Sequence, residues 1–314
     1  MMRRRVLWLI LLAALPSAAL ASCPVPEQIT PVPAATEQEI SVASQNLWRL
    51  TEKEMGRSQR RKRLAAWSRH IRDVLQSPHI LVVQEVDTLS MLEALAAQVR
   101  NDGGPRYQPL LFDGNDQSGI DVAMLYRAPI RVGEVQALFS TEQQSSSWLF
   151  SRPPLHVEIL EPFRFELLAL HLRSGHGLND AAEQGRVREK RRAQAQRIRD
   201  WSLSRLAQGK GLMLIGDFNS AAGDDLYAEP LAILDQPPLV SAWQSISLEQ
   251  RYSYIYRCRR QAIDHILLSP ALRARMSRAE VSRGNAGRYR TLNGAQGAGE
   301  VVSDHDAVLV YLRR

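Results

Sequence analysis

Eight polar residues stand where short apolar runs end or begin, and their types suit phosphoryl chemistry. Asn46 follows the run at 40–44, Glu85 follows Ile80-Leu81-Val82-Val83-Gln84, and His171 follows Glu166-Leu167-Leu168-Ala169-Leu170. Asp217 and Asn219 follow Leu212-Met213-Leu214-Ile215-Gly216, whereas Asp264 precedes Ile266-Leu267-Leu268 and Asp304 with His305 precedes the run at 307–312. The oxygens of Glu85, Asp217, Asp304 and Asn46 are hard ligands that suit Mg²⁺ or Mn²⁺, unlike the His and Cys sets that zinc favours. His171 and His305 add neutral donors or a proton shuttle, and Asp264 can orient His305 as a carboxylate orients an imidazole in a dyad. Such a set lets a cation neutralise phosphate charge while a base prepares water and donors hold the non-bridging oxygens. The sequence carries no Gly-rich phosphate loop of the P-loop type and no Gly-x-Ser-x-Gly elbow, which counts against NTP binding and serine-hydrolase chemistry. Each residue alone has a plainer reading. A Glu at a strand end is commonly solvated, a buried His is commonly packed, Asp264 or Asp304 can cap, and Gly216-Asp217-Phe218-Asn219-Ser220 can be only a turn. Their joint placement at strand ends outweighs these separate readings.

To bring the eight together, the elements must run in particular directions. The runs at 40–44, 80–83, 122–126, 165–170, 212–215, 266–268 and 307–312 have strand length and are rich in aliphatic and β-branched residues. A helix over 64–75 would place Leu64, Trp67, His70, Ile71, Val74 and Leu75 on one face, and 90–99 and 184–206 also carry helix formers. Strand-helix-strand units mix with directly successive strands, which implies sheets packed on each other with helices outside. The early strands deliver polar residues at their exits and the late strands at their entrances. All eight therefore meet at one edge only if the later strands run antiparallel to the earlier ones, so a mixed topology is a requirement of the functional reading.

The chain has 314 residues, of which 45% are hydrophobic, 23% charged and 6% aromatic. That is the composition of an ordinary folded domain and excludes disordered or fibrous classes. Neither repeats nor low-complexity tracts mark a second domain after Ile40. Residues 1–22 have a basic head at Arg3, Arg4 and Arg5, an apolar run at 6–15 and a small-residue exit at Ala19-Leu20-Ala21. This is the form of a secretory signal peptide, and the run is too short to span a bilayer. Its removal lowers the formal net charge from +7 to +4. Cleavage after Ala21 would release a soluble protein, whereas Leu20-Ala21-Ser22-Cys23 resembles a lipobox in which Cys23 would be lipidated and tether the chain to a membrane. Cys23 and Cys258 are the only cysteines and could instead form one disulfide in an oxidising compartment. Residues 23–39 are Pro-rich and read as an extended linker, leaving 40–314 as the domain.

Gln84-Glu85, Gly216-Asp217-Phe218-Asn219-Ser220, Ile263-Asp264-His265-Ile266-Leu267 and Ser303-Asp304-His305 stand in the order found in the endonuclease/exonuclease/phosphatase superfamily. The chain resembles its deoxyribonuclease-I-like members from about Ile40 to the C-terminus. The Gly-Asp-Phe-Asn and Ser-Asp-His motifs are specific to the superfamily and not to a substrate. Gly119 to Arg127, His171-Leu172-Arg173-Ser174-Gly175 and Arg192 to Gln196 further resemble bacterial exported nucleases. The resemblance implies an α/β fold, a four-layer α/β/β/α sandwich of two packed mixed β-sheets with outer helices. It implies that Glu85 binds the divalent cation with Asn46 beside it and Asp304 completing the site. Asp217 would position or deprotonate the attacking water, and Asn219 would hold the scissile phosphate. His171 would donate to a phosphate oxygen or the leaving group, and His305, oriented by Asp264, would act as acid, base or phosphate ligand.

The substrate is open at this level, since the superfamily cuts nucleic acids, lipids and small phosphoesters. Basic stretches at 57–63, 186–199 and 257–260 could bind successive phosphates of a strand with little sequence preference. The plainer reading is a solvated helix face, because Glu183 and Glu189 are interleaved around the second stretch. Trp148, Tyr252, Tyr254 and Tyr256 could stack on bases or simply pack. The expectation is a monomeric, exported nuclease acting on DNA, with RNA as an alternative, located in the periplasm, on the outer membrane or outside the cell. It would need no protein partner. A phosphodiesterase or phosphatase for a lipid or small ester, and a catalytically silent surface lipoprotein, are the competing readings.

Overall fold

The computed structural model describes residues 27–223, 227–288 and 301–314. The signal-peptide reading of 1–22 and Cys23 therefore lie outside the described residues. Sixteen strands are described. One six-stranded sheet contains β1 (Glu39–Leu50), β2 (Ile80–Val86), β3 (Gln108–Leu111), β4 (Asp121–Tyr126), β15 (Met276–Val281) and β16 (Val308–Arg313), in the order β15-β16-β1-β2-β4-β3. The other contains β5 (Arg131–Ala137), β8 (Leu155–Glu161), β9 (Phe165–His171), β10 (Leu212–Asp217), β11 (Val240–Ser241) and β14 (Asp264–Leu268), in the order β11-β14-β10-β9-β8-β5. Two small hairpins, β6 (Gln143–Gln144) with β7 (Ser147–Trp148) and β12 (Tyr254–Tyr256) with β13 (Arg259–Gln261), stand apart from the sheets. All seven runs expected as strands are strands.

Alternation along each strand builds the layers, because successive side chains point to opposite faces. Ile40, Val42, Ile80, Val82, Val122, Met124, Val308 and Val310 join Leu167, Ala169, Met213, Ile215, Ile266 and Leu268 in one core between the two sheets. Their neighbours Leu81, Val83, Ala123, Leu125 and Leu309 form a second core on the outer face of the first sheet, with Leu64, Trp67, Leu92 and Leu95. These come from α1 (Arg57–Arg69) and α2 (Leu89–Asn101). Leu168, Leu170, Leu212, Leu214 and Leu267 form the third with Ala195 and Ile198 of α3 (Gln184–Ala207) and Leu231 and Leu234 of α4 (Glu229–Leu234). Three cores separating four layers is the α/β/β/α sandwich. A short helix α5 (Pro270–Arg275) precedes β15. The helix expected over 64–75 is α1 followed by a π-helical turn at His70–Val74.

The mixed topology that the site requires is present. β1 is parallel to β2 and antiparallel to β16, and β10 is parallel to β9 and antiparallel to β14. Residues 27–39, expected as an extended linker, are partly docked: Val32 is buried and bonds through its amide to the Val74 carbonyl at 2.9 Å, and Pro33 accepts the Tyr311 hydroxyl. Among the described residues, no helix is long and apolar enough to cross a membrane. Cys258, in the tip of the β12–β13 hairpin, is disulfide-bonded.

Candidate active site

The site grows out of the same alternation. In the second sheet, residues 167 and 169 of β9, 213 and 215 of β10, and 268 and 266 of β14 face the inter-sheet core, and His171, Asp217 and Asp264 continue that parity at the strand ends. Strand register sets them side by side, since Asp217 pairs with His171 on one side and with Asp264 on the other. In the first sheet, Asn46 continues the parity of Ile40 and Val42. The inter-sheet core thus ends in a buried polar row. Asn46 spans the gap between the sheets, donating from Nδ2 to Asp217 Oδ2 at 3.3 Å and to Glu85 Oε1 at 3.1 Å.

Glu85 reaches this row through a bulge. The register between β2 and β4 shifts between Gln84 and Val86, so Glu85 is the extra residue, and its φ of 66° lies in the left-handed region. A bulge re-aims a side chain that regular alternation would send elsewhere, and strained backbone of this kind concentrates at functional sites. Glu85 Oε2 accepts the Arg49 amide at 2.9 Å, which fixes the second oxygen. The turn after β10 is equally constrained. Gly216 has φ 144°, and a Cβ there would lie 2.0 Å from the Leu170 carbonyl oxygen, so the strands approach too closely for any side chain. Asp217 Oδ1 then accepts the Asn219 amide at 2.8 Å, and Asn219 itself has φ 50°.

Asp264 and His305 form a buried dyad. His305 Nδ1 lies 2.8 Å from Asp264 Oδ2, which also accepts the Ser253 hydroxyl at 2.6 Å. Burial opposes charge on His305, yet Asp264, with Asp304 and Asp217, outweighs it and raises its pKa well above the usual imidazole value. His171 behaves in the opposite way: burial, then Arg152 and His305, lower it well below, so it is neutral. Its Nε2 is 3.6 Å from Asp217 Oδ2. Asp217 is pushed up to about 7, first by burial and then by Asp264. Asp304 is raised by burial and by Glu85, and its Oδ1 lies 4.0 Å from His305 Nε2.

All eight residues singled out in the sequence therefore converge at one end of the sandwich. Asp217 and Asp304, whose pKa values are raised by burial and by neighbouring carboxylates, belong to the oxygen-rich set that a divalent cation neutralises. Ligand atoms of Asp217, Asp264 and His305 lie within 4.8 Å of one another. Asp264 Oδ2 is shared by His305 and Ser253 while its Oδ1 has no hydrogen-bond partner, and both oxygens of Glu85 and of Asp217 accept hydrogen bonds from Asn46, Arg49 and Asn219. Asn46 turns its Oδ1 to the Trp48 amide at 2.8 Å and its amino group to the carboxylates. As placed its amino group ties the carboxylates together, and its oxygen accepts one hydrogen bond, leaving a second lone pair.

Several supporting residues escaped the sequence reading. Arg63, in the basic stretch 57–63, is buried and donates to the carbonyls of Leu47, Trp48 and Arg49, clamping the turn that follows Asn46. Arg191, in the stretch 186–199, is buried and holds the carbonyls of Arg173, Asn219 and Tyr227. Arg152 donates to the carbonyls of His171 and Leu172. Other cations of these stretches are also engaged within the protein, as Arg197 is with Glu142 and Arg60 with Glu52. These basic stretches, read in sequence as able to bind successive phosphates or as a solvated helix face, are therefore in part an internal brace. Gln45 Nε2 links the chain at Asn46 to the His305 carbonyl at 3.1 Å, and Ser303 Oγ donates to the Asn46 carbonyl at 2.7 Å. Only Ser303 carried a signal in sequence, through its place in the Ser-Asp-His motif.

Comparison with known proteins agrees with this architecture. A search of curated protein sequences finds no match. Among solved structures, truncated TDP2 from Caenorhabditis elegans aligns with a TM-score of 0.59 and 19% identity, over 88% of this chain and 98% of the other. NExo from Neisseria, described as a 3′ phosphatase bound to a product DNA hairpin, aligns with a TM-score of 0.61 and 18% identity, over 88% of this chain and 100% of the other. An endonuclease/exonuclease/phosphatase family protein from Bacteroides thetaiotaomicron aligns with a TM-score of 0.58 and 18% identity, over 87% and 97%. At these identities the likeness is one of fold. The sequence profile described as the Endonuclease/Exonuclease/phosphatase family matches residues 43–305, which spans every residue of the site from Asn46 to His305. The chain belongs to this family of phosphoester hydrolases.

Proposed function

We propose that the protein is an exported, divalent-metal-dependent nuclease that hydrolyses phosphodiester bonds of DNA, with RNA as an alternative polymer, and with little sequence preference. The observation that carries the reading is the buried row His171, Asp217 and Asp264, joined across the sheets by Asn46 to Glu85 and completed by the Asp264–His305 dyad. Glu85 and Asp304, with Asn46 beside them, would hold Mg²⁺ or Mn²⁺, which when bound supplies positive charge to the phosphate. Asp217, set in register between His171 and Asp264, positions the attacking water and accepts its proton. The His305 imidazolium, fixed by Asp264, donates to phosphate oxygen, while neutral His171 and Asn219 hold the phosphate in place. The disulfide at Cys258 supports export to an oxidising compartment. Mass spectrometry of the mature, non-reduced protein distinguishes Cys23 carrying a lipid from Cys23 paired with Cys258.

The test is a panel assay with purified protein: plasmid DNA, RNA, and small lipid-type and monoester phosphates, each with Mg²⁺, Mn²⁺ or chelator. Cleavage of plasmid that stops with chelator, and that falls by roughly 10²-fold or more in Glu85→Ala, Asp217→Ala and His305→Ala, is the expected result. Release of phosphate or phosphocholine from small esters, with nucleic acid intact, would replace the nuclease reading by a small-ester phosphodiesterase.

A further inference from the structure

The β12–β13 hairpin carries a series of ring faces that begins at the site. Tyr254 and Tyr256 are two apart on one strand and so lie on the same face. Their rings are nearly parallel, with an interplanar angle of 14° and centroids 6.3 Å apart. The Tyr254 ring in turn lies 4.8 Å from the His305 imidazole, and a backbone bridge joins the two residues. The series runs outward to Tyr256, which is 48% exposed, with the Arg257 guanidinium 5.3 Å from its centroid. From Tyr254 to Gln261 the hairpin holds three arginines and no acidic residue.

We infer that this hairpin is a base-stacking arm that holds an unpaired nucleotide beside the phosphodiester under attack, making single-stranded nucleic acid, or an unpaired end, the preferred polymer. The inference rests on the nuclease reading above. Packing alone accounts for Tyr252, which is buried, bonded to Glu27 and held between Arg260 at 4.6 Å and Arg283 at 4.0 Å. It does not account for Tyr256, whose ring faces solvent on an arm rich in positive charge. The two rings are nearly parallel, at 14°, so the outer face of Tyr256 is presented in the orientation in which a base could continue the series. A paired base keeps its faces inside the duplex, whereas an unpaired base can lay one against tyrosine while an arginine meets its phosphate. The arm is also preset. Arg257 and Cys258 have φ 46° and 64°, the left-handed pair of a tight two-residue turn.

The experiment compares fluorescent strands of equal length by anisotropy in chelator and by cleavage with Mn²⁺: an oligothymidylate, a blunt duplex, and an abasic tetrahydrofuran strand with the same phosphates and no bases. Wild-type protein should bind the oligothymidylate about tenfold more tightly than either comparison. Tyr256→Ala should abolish that preference by weakening only base-bearing single strands, and Tyr256→Phe should retain it. Equal binding of the three by wild type, or a preference that survives Tyr256→Ala, overturns the stacking arm while leaving the nuclease reading intact. Failure of the wild type to cleave any of these polymers, with activity on small esters, overturns both.

Discussion

At the scale of single residues, the site separates two carboxylates and two histidines by environment. Asp264 shares its Oδ2 with a histidine and a serine and so orients the imidazole, while Asp217, beside it, has its pKa pushed up to about 7 by burial and by that same neighbour. Burial disfavours charge on both histidines; at His305 the carboxylates of Asp264, Asp304 and Asp217 outweigh it, whereas at His171 the charges of Arg152 and His305 add to it. Groups acting as a unit lose activity together and not additively. Asp264→Asn should therefore cost roughly 10²- to 10⁴-fold in kcat, as removing the orienting carboxylate of a dyad does, and combining it with His305→Gln should cost little more than His305→Gln alone. Steady-state kinetics on plasmid or oligonucleotide checks this; a fully multiplicative double variant would show that the two side chains act separately. Both members of this dyad were legible in sequence, because their motifs flank strand-like runs. Ser253 was not, since a lone Ser between two tyrosines carries no signal until the chain folds it against Asp264.

The elements hold these residues by means that sequence patterns conceal. The strands were legible from apolar runs, and their antiparallel closure followed from where the polar residues sat. The bulge at Glu85 was not legible, as Gln-Glu-Val gives no sign of a left-handed residue. Nor was the division of labour within the basic stretches, because a buried arginine and a solvated one look alike in a run of arginines. Arg191→Met should leave the carbonyls of Arg173, Asn219 and Tyr227 without their shared donor, destabilising the protein by about 3 kcal/mol and lowering activity through a loosened Asn219. Denaturant unfolding checks the first effect, with solvent-facing Arg192→Met as the control that should change little. Gly216→Ala is a more severe test. With the added carbon 2.0 Å from a backbone oxygen, β9 and β10 cannot keep their register, and loss of soluble protein or a large fall in Tm is expected. Normal stability in that variant would mean the close approach of the two strands is wrong.

Over the whole molecule, three apolar cores fix two sheets at one spacing, and the inner one ends where the charges begin. The four layers were implied by resemblance and by strand order, whereas the docking of residues after 27 was not, since prolines favour an extended chain whether or not it packs. The fold also carries a pH liability distant from the catalytic groups. His70, fully buried beside Trp67 at the end of α1, has its pKa lowered by burial to about 3. An unfolded histidine titrates near 6.5, so the unfolded chain binds the proton first and stability, complete above that pH, falls as pH drops towards 3. The loss between pH 7 and pH 5 should be about 2 kcal/mol from this residue, and His70→Gln should flatten the acid limb in urea titrations at the two pH values. An unchanged slope would place the acid sensitivity elsewhere.

The central claim is that Glu85, Asp217, Asp304 and the Asp264–His305 dyad act on a phosphodiester as one cation-dependent centre. Its most direct measurement is single-turnover cleavage of a labelled DNA strand by wild type and Glu85→Gln across a Mn²⁺ titration, with calorimetry of Mn²⁺ binding to both. The account predicts that the wild type cleaves, stops in chelator and recovers on adding metal, and that Glu85→Gln binds Mn²⁺ much more weakly and cleaves far more slowly at every concentration. Cleavage that persists in chelator, or Mn²⁺ affinity and rate unchanged by Glu85→Gln, would contradict it.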